Sequence, residues 1–132
     1  MAKRSQEEQA LHRTLVGMVV EVRESRGWFV KAELDGWVKP PEIGGHVPDV
    51  WAEKTGAVMV VEVETCDTIH LVETKEQYRA FYRYAMPTPE RKNREFRIYT
   101  PKACYEEALK QAEEWKVISF HPTRYFWHFE DL

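Results

Sequence analysis

The sequence predicts an α/β fold with the element order αβββαβαβ, and three observations support it. Helical and strand periodicities alternate along the chain, a two-residue turn joins two apolar runs near its middle, and one of those runs is apolar on both faces. With 132 residues the chain is near the commonest domain size and is read as one domain over residues 1–132. Hydrophobic residues form 43% of it and charged residues 31%, enough apolar surface to offset chain entropy and to argue against disorder.

Residues 5–25 begin with Ser5 in a capping position and Glu7 and Glu8 in the first turn. Leu11, Leu15, Met18, Val19 and Val22 then follow at helical spacing, and Gly27 ends the helix. Residues 28–34 alternate Trp28, Val30, Ala32 and Leu34 against Phe29, Lys31 and Glu33, which predicts a strand closed at Asp35-Gly36. After the interruptions at Pro40-Pro41 and Gly44-Gly45, the apolar runs 47–53 and 57–64 flank Lys54-Thr55-Gly56 and predict a hairpin. In the second run only Glu62 breaks the apolar sequence Val58-Met59-Val60-Val61-Glu62-Val63.

Helical spacing returns over residues 73–85 with Tyr78, Phe81, Tyr82 and Ala85, and Pro87 and Pro89 stop it. A strand over 95–100, a helix over 103–115 and a last strand over 116–120 complete the order. The tail Tyr125-Phe126-Trp127-His128-Phe129 is too apolar for a free end, so it is expected to pack on the core or to form a dimer contact.

No run approaches the roughly 18 apolar residues of a membrane span, and the first residues lack a hydrophobic signal core, so a soluble, unprocessed protein without a membrane partner is expected. A net charge of −3 and a pI near 6.0 exclude coating nucleic acid through overall charge, and any phosphate-binding surface must be local. Cys66 and Cys104 show no paired spacing; reduced thiols in the cytoplasm are expected, with a single bridge as the alternative. Cys66, Asp67 and His70 suggest zinc, but two further ligands at suitable spacing are missing, so no zinc site is expected.

If Thr55-Gly56 is a two-residue turn, Lys54 faces Ala57 and Asp49 falls opposite Glu62 on one face. A three-residue turn would instead pair Asp49 with Val61 and send the acids to opposite faces. Like charges opposed on paired strands destabilise a sheet. Three arrangements relieve the repulsion: one acid stays protonated, basic side chains pair with both, or a hard divalent cation binds between them.

The segment Gly45-His46-Val47-Pro48-Asp49, a hairpin, and then Val61-Glu62-Val63-Glu64 resembles the signature region of the PD-(D/E)XK nuclease superfamily. The predicted order αβββαβ over residues 5–100 is similar to that family's core. The resemblance covers most of the chain and implies a restriction-endonuclease-like, three-layer core with a mixed central sheet, followed here by an extra helix and strand. It implies metal-assisted phosphodiester hydrolysis, with Mg²⁺ or Mn²⁺ held by Asp49, Glu62 and the Val63 carbonyl. Nucleic acid is the implied partner, DNA in preference to RNA, and a homodimer is compatible with the family. No organic cofactor is expected. The alternative is a catalytically inactive module on the same fold that binds nucleic acid or protein.

Glu64 stands where the family usually has lysine. It is read as a further ligand, as a general base on metal-bound water, or as a sign that catalysis is lost. Glu8 is the candidate outer acid on the first helix, against the simpler reading of a solvated first-turn acid. Lys75 and Gln77 are candidates to replace the missing lysine, and His46 to bind phosphate or shuttle a proton, each against a plain structural role. Arg79, Arg83, Arg91, Lys92 and Arg94, with Arg97, Tyr82 and Tyr84 among or near them, form a candidate phosphate-tracking surface, although Glu76, Glu90 and Glu95 are interspersed.

Overall fold

A computed structural model of the chain describes residues 5–89, 93–119 and 121–132. The first helix, α1 (Gln6–Ser25), starts where the Ser5 side chain accepts a hydrogen bond from the Glu8 N–H at 3.1 Å. This is the N-cap geometry that satisfies an otherwise orphaned amide. Leu15, Val16, Val19 and Val20 form its buried stripe. Arg23 lies on the same helix with 3% exposure, its guanidinium against the Met59 sulfur, and burial pushes its pKa below the ordinary value. Gly27 then turns the chain with φ +87°, a left-handed conformation that glycine adopts without strain.

β1 (Phe29–Ala32), β2 (Val50–Lys54) and β3 (Ala57–Val63) form an antiparallel meander. α2 (Val72–Ala85) carries the chain back to β4 (Arg94–Thr100), parallel to β3, and α3 (Tyr105–Trp115) leads to β5 (Phe126–His128), parallel to β4. The sheet order is β1-β2-β3-β4-β5, a mixed central sheet with the element order expected from the sequence.

Strand alternation divides the core into two layers. Val30, Ala32, Val50, Ala52, Met59, Val61 and Val63 pack with the apolar face of α1. Val60, Phe96, Ile98 and Phe126 pack on the opposite face with Tyr78 and Phe81 of α2 and Leu109 of α3. The two faces of β3 are thus both covered, which is why its sequence is almost continuously apolar.

The last predicted strand is displaced. Residues 116–119 form no strand, and residue 120 lies outside the described residues. Lys116 ends α3 in a left-handed conformation, with φ 57° and its N–H donating to the Ala112 and Glu113 carbonyls, so the chain turns where the sequence suggested that a strand begins. Val117 and Ile118 are buried as a loop, and apolar content alone does not separate a buried loop from a strand. The strand forms instead in the aromatic tail, where Phe126–His128 pair with Ile98–Thr100.

The expectation of reduced thiols is also corrected, since Cys66 and Cys104 are joined in a disulfide, with Cα atoms 5.7 Å apart and a sequence separation of 38. Sequence spacing carried no sign of this because the excursion through α2 and β4 returns the chain to the Cys66 loop. Among the described residues, no helix is long and apolar enough to cross a membrane.

Candidate functional site

The hairpin has the two-residue Thr55-Gly56 turn, with Gly56 at φ +78°. Its ladder runs from Lys54↔Ala57 to Val50↔Val61, so the next step places Asp49 opposite Glu62. The acids interact through the backbone. The Asp49 N–H donates to Glu62 Oε1 at 3.0 Å, and the Val63 N–H donates to Asp49 Oδ2 at 2.8 Å. Each carboxylate therefore accepts an amide of the opposing strand and continues the ladder beyond its last regular pair. The Glu33 N–H donates to the Asp49 carbonyl at 3.0 Å and ties the position to the chain leaving β1.

Glu62 is 3% and Glu64 1% exposed. Glu64 donates its N–H to the Tyr99 carbonyl, and its Oε2 accepts the Thr68 hydroxyl at 2.9 Å. The side chain that occupies the position of the usual lysine is thus bound into the loop after β3. Asp49 also meets a residue that sequence reading missed. His12 Nε2 of α1 lies 3.2 Å from Asp49 Oδ1, with both side chains about 15% exposed. Glu8 is one turn earlier on the same helix face, and its Oε2 is buried without a hydrogen-bond partner among the described residues. The available signal was the i, i+4 spacing of Glu8 and His12 in a helix that follows no other histidine.

His46 belongs to a tight turn that delivers Val47-Pro48-Asp49. Ile43 and His46 exchange backbone hydrogen bonds at 2.7 and 3.1 Å, Gly44 and Gly45 between them have φ +60° and +87°, and the His46 ring stands edge-on to Phe81. A Cβ on Gly44 would lie 2.9 Å from the Ala80 Cβ, whereas one on Gly45 would meet nothing within 4 Å. We expect Gly44→Ala to cost about 1–3 kcal/mol through its backbone conformation plus this contact, and Gly45→Ala to cost less. Denaturant midpoints of the two variants check this, and equal values would show that the turn does not pack on α2 as described.

Lys75 and Gln77 lie in the first half of α2, on the layer opposite α1. Within the candidate basic surface, Arg94 is at the other end of the sheet from the acids. Arg94 begins β4 opposite Val58, while Glu62 aligns with Ile98 four residues further on, roughly 13 Å along a strand. Arg94 stacks over the Tyr84 ring at 3.9 Å, Arg79 pairs with Glu76 at 3.2 Å, and Arg83 is exposed. Arg91 and Lys92 lie outside the described residues. Nearer the acids, an open cleft of about 430 Å³ beside Glu33 is lined by Arg13, Trp37 and Lys39, among others.

The donor chemistry at Asp49 and Glu62 suits a hard cation. As arranged, however, both carboxylates hold amides, and among the described residues no three His, Cys, Asp or Glu side chains are grouped to hold a metal ion. No family model matches the chain and no curated protein matches it in sequence. What the structure establishes is an α/β fold whose mixed central sheet is consistent with a restriction-endonuclease-like topology.

Proposed function

We propose that the chain is a nuclease-fold module that binds nucleic acid, DNA in preference to RNA, without cutting it. The observation that carries this reading is the reciprocal bonding of the acids: Glu62 takes the Asp49 amide and Asp49 takes the Val63 amide. A carboxylate engaged in this way braces the hairpin end. Glu64, bonded to Thr68 and the Tyr99 carbonyl, braces the following loop. Two surfaces support contact with a polyanion: the Arg79, Arg83 and Arg94 end of the sheet with Tyr84, and the cleft with Arg13, Lys39 and Trp37.

One observation favours a second reading, hydrolysis of a phosphodiester with Mg²⁺ or Mn²⁺. His12 meets Asp49, and one turn earlier on α1 Glu8 has a buried carboxylate oxygen without a hydrogen-bond partner among the described residues, a richer set than a structural brace requires. In that reading Asp49, Glu62 and the Val63 carbonyl hold the ion after the carboxylates release their amides.

One set of measurements separates the readings. Binding of labelled duplex, single-stranded and RNA oligonucleotides is followed against salt, beside a cleavage panel with Mg²⁺ and Mn²⁺ for the native protein and Asp49→Ala. We expect binding with dissociation constants around 10⁻⁶–10⁻⁴ M that weakens steeply with salt, a salt slope reduced by about 1 in Arg83→Ala, and no cleavage by either protein. Metal-dependent cleavage that disappears in Asp49→Ala would establish hydrolysis instead. Absence of both binding and cleavage would overturn both readings.

A further inference from the structure

On the sheet face turned away from α1, the strand register fixes a row of side chains at the hairpin end. Phe29 of β1 lies opposite Glu53 of β2, Glu53 opposite Val58 of β3, and Val58 opposite Arg94 of β4. At one strand spacing per step, the row spans roughly 14 Å. A second row beside it begins with Lys31 opposite Trp51. Val30 and Ala32 pack toward α1, so the period of two along β1 puts Phe29 and Lys31 on the opposite face. Trp51, Val58 and Tyr84 pack, partly buried, against the core layer that α2 forms with the sheet.

Rings and cations alternate over this surface. Phe29, on an edge strand of the sheet, is 59% exposed. It is a diagonal neighbour of Trp51 across β1 and β2, at roughly 7–8 Å, a separation that aromatic side chains span. The Trp51 and Tyr84 rings are 5.9 Å apart, and the Arg94 guanidinium sits over the Tyr84 ring at 3.9 Å while its Nη1 donates to the Tyr84 carbonyl at 3.3 Å.

Resting on the nucleic-acid reading above, we propose that this face takes a single-stranded segment, with bases stacked on Phe29 and Trp51 and phosphates met by Lys31 and Arg94. Solvated aromatic rings flanked by cations are the combination that holds unpaired strands, rings for the bases and charges for the backbone. Bases in a duplex are stacked on one another and open only at its ends, whereas unpaired bases can be splayed onto aromatic side chains. Every base has a π face, so this surface discriminates the form of the nucleic acid more than its sequence.

The charges are placed for that division of labour. Stacking on Tyr84 and the bond to its carbonyl hold the Arg94 guanidinium in one orientation, so the planar fork loses less entropy on meeting a phosphate. Lys31 supplies a second, flexible point charge beside Trp51. Glu53 stands between Phe29 and Val58 in the row. Its carboxylate repels phosphate from the centre of the surface, which confines the backbone to the Lys31 and Arg94 flanks and leaves the rings to the bases. None of these residues belongs to the group formed by Asp49, Glu62 and Glu64, so variants here leave that group intact.

The test compares two labelled probes on the full chain: a thymidine oligonucleotide of about twelve nucleotides, and an abasic oligonucleotide of the same length, which keeps the phosphates and lacks the bases. We expect the native protein to hold the thymidine probe about 10-fold or more tighter than the abasic one. Phe29→Ala should weaken thymidine binding about 5- to 100-fold and leave abasic binding unchanged, while Phe29→Tyr keeps both. Phe29 is largely solvated, and unchanged abasic binding shows that the alanine variant is folded. Arg94→Ala should weaken both probes and reduce the salt slope by about 0.7. Equal affinity for the two probes, or full thymidine affinity in Phe29→Ala, would overturn the stacking surface and leave the nucleic-acid reading standing; no binding of either probe or of duplex would overturn both. A native dimer that Phe29→Ala converts to monomer, measured by light scattering, would assign the face to a second copy of the chain instead.

Discussion

Replacing Phe81 by alanine lowers the stability of the protein by about 3–5 kcal/mol, the range for deleting a fully buried phenylalanine side chain. Phe81 has no solvent exposure and packs edge-on to Phe96 with ring centroids 5.8 Å apart. Phe96 in turn contacts Tyr78 and Tyr125, so the hole opens at the centre of the layer that joins α2 to the sheet. Against a total stability of about 5–15 kcal/mol for an ordinary domain, this loss leaves little reserve. The effect also reaches the hairpin acids, because the His46 ring rests on Phe81 and its turn delivers Asp49. Denaturant unfolding of Phe81→Ala beside Phe81→Leu checks the assignment. The leucine variant is expected to lose about 1.5 kcal/mol or less, and a loss under about 1 kcal/mol for alanine would show that the ring is not at the core.

The second large effect follows from the disulfide. Under oxidising conditions, the double variant Cys66→Ser/Cys104→Ala is expected to lose about 4 kcal/mol, the chain-entropy value for closing a loop of about 38 residues. The bond acts mainly by restricting the unfolded chain, because it encloses all of α2 and β4. In the presence of a dithiol the native protein should fall to the stability of the variant. Equal stabilities in oxidising buffer would show that the two cysteines do not bridge in solution.

The helices and the meander were legible because local patterns encode them. Ser5 with Glu7 and Glu8 marks the start of α1, and the alternation around Thr55-Gly56 sets the hairpin register. That register requires only a turn whose second residue tolerates positive φ and flanking residues with a period of two. The end of α3 was less legible. Lys116 adopts a left-handed conformation without being glycine, so the sequence carried no stop signal and the apolar residues after it read as a strand. The basic residues around Arg79 and Arg94 were legible as a charge cluster, but only the parallel pairing of β3 with β4 puts Arg94 at the end of the sheet away from Glu62.

By itself, then, the sequence determined the order of elements, the two-sided burial of β3 and the opposition of Asp49 to Glu62. All three depend on interactions between near neighbours or on the period of a single strand. Tertiary structure alone decided that these acids hold each other's strand amides, that His12 meets Asp49, that Cys66 reaches Cys104, that His70 meets Glu107, and that the aromatic tail supplies the edge strand β5. Those contacts join residues far apart in sequence, and their geometry follows from how the helices pack across the sheet, which no local periodicity records.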